Sequence, residues 1–96
     1  MRTSLQKIQE TVRLFKIFSD QTRLRIIALL IEGEFCVQEI FETLHMSQSS
    51  ISHQLKLLRD QNIVTARREG KNIFYSLKDE HVKEIYKMGY DHANEC

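Results

Sequence analysis

Leu5, Ile8, Val12 and Phe15 recur at the three- and four-residue spacing of a helix with one apolar stripe, predicting a first helix that ends near Phe18. Ser19-Asp20 offers a cap for a second helix, whose stripe is Leu24, Ile27, Ala28 and Ile31 and which Gly33 is placed to end in a left-handed conformation. Val37, Ile40, Phe41 and Leu44 mark a short third helix. After the break His45-Met46-Ser47, with Ser47 as cap, Ile51, Leu55 and Leu58 line one side of a fourth helix running to about Asp60. The opposite side carries Ser49, Ser52, His53 and Lys56, all small or hydrogen-bonding. The runs Ile63 to Ala66 and Ile73 to Leu77 are β-rich, and the segment Arg67 to Asn72 joins them as a hairpin with a basic tip. A last helix begins near Asp79, its cap, and offers Val82, Ile85, Tyr86 and Met88 for burial. Gly89 inside that helix costs about 1 kcal/mol relative to alanine, which fits a close helix approach at a dimer seam.

This succession predicts a mainly α fold with a small β-hairpin (α+β), a winged helix-turn-helix: recognition helix at about 47–60, wing at about 63–77, and a C-terminal helix at about 79–94. With no proline, repeat or linker-like stretch, residues 1–96 should form one domain, small enough to gain from homodimerisation. Apolar residues at 42% and charged residues at 28% describe a globular chain, not a disordered one. The longest apolar run, Ile26 to Ile31, is too short for a bilayer, and no signal-like segment follows Met1, so the expectation is a cytoplasmic protein with no membrane partner. Cys36 and Cys96 make a poor disulfide framework, in keeping with a reducing compartment.

The net charge of +1 hides a segregation. Between Ser47 and Asn72, five cations (Lys56, Arg59, Arg67, Arg68, Lys71) face two carboxylates, a net of +3, whereas from Ser76 onward three lysines face five carboxylates, a net of −2. A basic middle suits phosphate and an acidic last helix suits a cation. Short side chains on the fourth helix let it sit deep in a major groove, so that Ser47, Gln48, Ser49, Ser50, Ser52 and His53 approach base edges and phosphates of double-stranded operator DNA. Lys56, Arg67, Arg68 and Lys71 would neutralise phosphates. The competing reading is a solvated helical hairpin beside a charged turn.

Asp79, His81, His92 and Glu95 are the remaining constellation. On one helix, His81 and His92 share nearly one face but stand roughly 16 Å apart, too far for a single ion. Each end offers one imidazole and one carboxylate, so an antiparallel copy would complete two equivalent sites, with Asp79 and His81 from one chain and His92 and Glu95 from the other. Two imidazoles with two carboxylates suit Zn2+, with Co2+ or Ni2+ possible. The bland alternative makes Asp79 an N-cap and the others surface groups. A metalloenzyme is disfavoured, because four protein ligands leave no open position and no nucleophile and base pair is visible.

The stretches Phe18 to Arg25, Phe35 to Ile40 and Ser47 to Asp60 resemble the ArsR/SmtB family of bacterial metal-responsive repressors, over nearly the whole chain. The Asp79-x-His81 and His92-x-x-Glu95 pairs resemble the zinc site of its SmtB/CzrA type, which lies across the C-terminal helices of the dimer. The resemblance implies a repressor that binds its operator as an apo dimer and releases it when zinc binds. It also implies that the second ring nitrogen of His92 holds a backbone carbonyl near Asn62. Relatives sensing softer metals place further thiolates around the third helix, where this chain has Cys36 but Gln38. Cys36 is therefore expected to be a small core residue rather than a ligand, and the final Cys96 a frayed one. The alternatives are a winged-helix repressor responding to another metal or to a non-metal signal, and a protein-interaction module using the same face.

Overall fold

The computed structural model describes residues 4–95. Five helices and three short strands follow in the order α1 (Leu5–Phe18), α2 (Gln21–Leu30), β1 (Phe35–Cys36), α3 (Val37–Leu44), α4 (Gln48–Asp60), β2 (Val64–Glu69), β3 (Asn72–Leu77) and α5 (Glu80–Ala93). The strands form one antiparallel sheet in the order β1-β3-β2.

Local chemistry sets the boundaries. Ser4, Asp20, Ser47 and Asp79 each sit in extended backbone and accept a hydrogen bond from the N–H three residues on, satisfying a donor that the helix start leaves unpaired. His45 closes α3 with φ 56° and ψ 47°, a left-handed conformation that lets its N–H and that of Met46 return to Glu42 and Phe41 carbonyls. Asn62, with φ 60°, turns the chain out of α4 in the same way. The α4 helix is thus flanked on both sides by non-glycine residues that tolerate the left-handed region better than most.

The core is α4 against the rest. Ile51, Leu55 and Leu58 are fully buried, as their spacing predicts, and they meet Ile26, Ile27 and Leu30 of α2, Ile40 and Leu44 of α3, and Ile63 and Val64 at the wing base. One predicted stripe is corrected, and another, on a helix that runs as predicted to Phe18, faces away from the core. In α2 the deepest residues are Ile26, Ile27 and Leu30, with Leu24, Ala28 and Ile31 only half-buried, a rotation of the stripe that a run of consecutive apolar residues conceals. In α1 the stripe Leu5, Ile8, Val12 and Phe15 faces outward, 46–72% exposed, and Ile17 is the residue that reaches the core. Met88 and Tyr90 of α5 are likewise exposed. Two amphipathic helices therefore present apolar faces that this chain alone does not cover.

Three further expectations change. α2 ends at Leu30 with the next residue still helical, and Gly33, three residues on, has a φ of 148°, a positive value that glycine tolerates but far from the left-handed helical one, while its N–H donates to Leu30 O at 3.2 Å. Phe35 and Cys36, which lie outside every predicted element, pair with Tyr75 and Phe74 and add a third strand. Cys36 is consequently half-buried at the start of α3, not in the core, and its N–H donates to Glu39 Oε1 at 2.9 Å. Finally, the strands of the hairpin run up to the pair Glu69–Asn72, so only Gly70 and Lys71 form the turn and Arg67 and Arg68 belong to β2.

Candidate functional site

The free side of α4 is built as its sequence pattern predicts. Gln48, Ser49, Ser52, His53 and Lys56 are all exposed on one face, because the buried Ile51-Leu55-Leu58 stripe fixes the rotation of the helix. Ser47 lies at the helix start with its hydroxyl accepting from Ser50 N–H at 3.2 Å and 3.4 Å from the Ser49 hydroxyl, while Ser50 itself is half-buried. Lys56 pairs with Asp60 at 3.6 Å, both well exposed, a contact that costs little to break.

The wing stands beside this face. A cavity of about 320 Å³ lies between α3, α4 and the hairpin turn, and Gln48 and Ser52 line it together with Gln38, Lys71 and Asn72. Residues of α4 and of the hairpin turn thus share one concavity, with Val37, Phe41 and Ile73 also in its lining. The wing cations are not equivalent. Arg67 donates from Nε and Nη2 to the two carboxylate oxygens of Glu34 at 3.1 and 2.7 Å, pairs also with Glu69, and lies 5.1 Å over the Phe74 ring. That bidentate pair holds the Glu34 carboxyl below its ordinary range and raises the Arg67 guanidinium further. Arg68 and Lys71 carry no ion pair among the described residues. Of the three wing cations, Arg67 is thus already matched by carboxylates, the Glu34-Arg67-Glu69 cluster being net negative. The missed partner, Glu34, lies 33 residues upstream in sequence, beyond the reach of any local pattern.

The C-terminal constellation divides between the two ends of α5. Asp79 uses Oδ1 to cap the helix through Val82 N–H at 3.3 Å, and its Oδ2 lies 3.6 Å from His81 Nδ1. Capping and pairing are thus compatible, because one carboxylate serves each with a different oxygen. His92 sits in the last turn, and the unbroken helix between it and His81 keeps the two imidazoles roughly 16 Å apart. Glu95 departs from expectation: the helix stops at Ala93 and Asn94 is its C-cap, so Glu95 is exposed beyond the helix rather than one turn from His92 on it. Among the described residues no three His, Cys, Asp or Glu side chains of this chain gather around one point. Cys96 lies outside the described residues.

Between α1, α2 and α5 lies an apolar cavity of about 620 Å³, lined among others by Phe15, Phe18, Leu24, Ile85, Met88 and Tyr90. It continues the exposed stripe of α1, and with that stripe forms the surface on which a further helix could pack. Among the described residues no helix is long and apolar enough to cross a membrane.

Against known proteins, residues 20–66 match the bacterial regulatory protein, arsR family. A transcriptional repressor SmtB homolog of Synechocystis is 39% identical over 92 residues, covering 96% of this chain and 70% of that one. A cadmium resistance transcriptional regulatory protein CadC homolog of Staphylococcus aureus is 38% identical over 91 residues, covering 94% and 75%. In structure, a homodimeric winged helix-turn-helix DNA-binding domain from Mycobacterium bovis superposes with a TM-score of 0.86 at 28% identity, over 99% of this chain and 91% of that domain.

Proposed function

The chain belongs to the ArsR/SmtB family of transcriptional repressors, whose members are regulators rather than enzymes, and from that premise we propose that it is a homodimeric operator-binding repressor relieved by zinc. One observation carries the metal half of the proposal. Asp79 Oδ2 faces His81 Nδ1 at the start of α5 while His92 stands at its other end, each end of the helix being an incomplete, exposed set of nitrogen and oxygen donors. The uncovered apolar faces of α1 and α5 supply the reason for a second copy to lie alongside. In such a dimer Asp79 and His81 of one protomer, with His92 and Glu95 of its partner, would hold the ion. Asp79 already has one oxygen committed to the helix cap, so it would ligate through the other alone. Glu95, free of the helix, would be drawn in by the ion. This donor set suits zinc, and cobalt or nickel less well.

The DNA half rests on α4 and the wing. Gln48, Ser49, Ser52 and His53 would meet base edges and phosphates in the major groove, Ser47 and Ser50 would hold the helix start against the backbone, and Lys56, Arg68 and Lys71 would take phosphates. Arg67 would serve by bracing the wing. Zinc weakens operator binding to the extent that the metal-bound dimer fits DNA less well, and DNA weakens zinc binding by the same factor. Couplings of this kind are commonly ~1 to 3 kcal/mol.

Mixing protomers tests the shared site. A variant lacking Asp79 and His81 and a variant lacking His92 and Glu95, each to alanine, should both fail to bind zinc alone, whereas a refolded equal mixture regains about one quarter of the wild-type sites. No recovery on mixing would place the site within one chain or elsewhere. Operator duplex recovered by selection from a randomised pool then reads the switch by fluorescence anisotropy. Unchanged affinity with zinc bound would leave a repressor answering another signal.

A further inference from the structure

The segment Ser19-Asp20-Gln21-Thr22-Arg23 opens α2, and its cap, Asp20, accounts for only part of it. Arg23 is the rest. Its side chain is 17% exposed, and each of its three nitrogens donates a hydrogen bond. Nε donates to Ile17 O at 3.1 Å and Nη2 to Lys16 O at 3.2 Å, both carbonyls of the last turn of α1. Nη1 lies 3.9 Å from Asp20 Oδ2 and donates to Gln54 Oε1 of α4 at 3.3 Å.

One guanidinium therefore joins the end of α1, the cap of α2 and the middle of the recognition helix. Its fixed planar fork makes these bonds together, which a lysine ammonium on its flexible stem does not reproduce. Both carbonyls belong to the last turn, where a cation is favoured by the helix dipole, and Lys16 O accepts from Ser19 as well. The α1 helix otherwise holds to the body through its C-terminal turns, with Ile17 buried and Leu14 and Phe18 packed against the core, while its apolar stripe is turned outward. Gln54 is half-buried and lies between the exposed positions His53 and Lys56 and the core stripe, where a side chain can set the roll of α4 without facing solvent.

We propose that Arg23 is a positioning residue that ties the roll of the recognition helix to the placement of α1, so that the helix packed in the dimer seam aims the DNA-facing side chains. This rests on the reading of α4 as the DNA-contacting helix. Packing at α1 is then not only adhesive. A shift of the dimer seam would pull the Lys16 and Ile17 carbonyls, and through Arg23 and Gln54 would turn Gln48, Ser52 and His53 against the groove.

Full-length homodimer and the selected duplex provide the test. Gln54→Leu leaves all three α1 and α2 contacts of Arg23 in place and removes the link to α4 alone. It should weaken duplex binding at least fivefold, with zinc stoichiometry and the dimer dissociation constant unchanged. In an Arg23→Lys background the same substitution should add less than twofold, because the link is already broken. Gln54→Glu, which keeps an acceptor for Arg23, should hold affinity near wild type; a direct phosphate contact by Gln54 would instead make that variant the weakest. Equal effects of Gln54→Leu in the wild-type and Arg23→Lys backgrounds, or none in the wild type, would overturn the proposal. Should Arg23→Lys fail to fold, the leucine and glutamate variants still separate the link from a phosphate contact. Failure of the wild-type protein to enrich any duplex would instead refute the DNA reading on which the link depends.

Discussion

Replacing Lys71 or Arg67 by glutamine removes one positive charge from the wing in either case, yet the structure predicts different consequences for DNA binding. Lys71 occupies the turn, exposed and without an ion-pair partner among the described residues, beside Gln48 and Ser52 of α4. Arg67 is bound to both oxygens of Glu34 and to Glu69 and stacks over Phe74. A cation that meets a phosphate releases condensed counterions, and the slope of log affinity against log salt loses ~0.9 for each such contact removed. A symmetric dimer has two wings, so Lys71→Gln should flatten the slope by ~1.8. Going from ~200 to ~50 mM salt, wild-type affinity should then rise roughly twelvefold more than that of the variant. Arg67→Gln should leave the slope within ~0.5 of wild type, because its charge is already matched by carboxylates, although affinity falls as the wing loosens. Fluorescence anisotropy on the selected duplex at four or five salt concentrations measures both. Equal flattening by the two variants would refute the reasoning, since it would mean that Arg67 leaves Glu34 for a phosphate when DNA arrives.

Asp79→Asn separates the two duties of that side chain: asparagine caps a helix about as well, so thermal stability should be nearly unchanged, while zinc affinity falls because the charged oxygen facing His81 is gone. Unchanged zinc affinity would assign Asp79 to the cap alone. The Glu34–Arg67 pair predicts an acid-sensitive wing: with the Glu34 carboxyl depressed when folded, its contribution is present above the ordinary glutamate range and is lost as pH falls through the depressed value. Carboxyl NMR should find the Glu34 midpoint below that of an unstructured glutamate, and Arg67→Gln should return it.

Elements whose folding is decided within a turn or two of chain were legible from sequence: the Ser47 and Asp79 caps, the Ile51-Leu55-Leu58 stripe and the helix-turn-helix break at His45 all stand where the pattern puts them. Features set by distant partners were not. β1 is two residues long and exists because β3 offers it a ladder, so no periodicity could announce it. The α1 stripe has core-like spacing, but spacing alone does not say whether its partner is this chain or another. In α2 every position from Ile26 to Ile31 is apolar, which leaves the rotation of the helix to be decided by packing. At the site, Asp79 with His81 was visible as a local pair, whereas the end of α5 before Glu95 depended on where the last backbone hydrogen bond, Asn94 to Tyr90, happens to close. The pairing of Arg67 with Glu34 left no local signal because the two are remote in sequence, and the guanidinium that joins α1 to α4 through Gln54 has no local signature beyond being an arginine after a cap.

The order β1-β3-β2 leaves the sheet with two edges, and their character bears on how the protein survives at high concentration. One edge is too short to template another strand. The other, β2, is six residues long and would be open to pairing with a neighbour, but its outer half reads Arg67-Arg68-Glu69 and its tip carries Lys71. Charges on a free edge repel a second strand before a ladder can form. The wing thus guards its own backbone against aggregation with the same residues that are proposed to meet DNA, so that on that reading selection for tighter or looser DNA binding there also acts on colloidal stability.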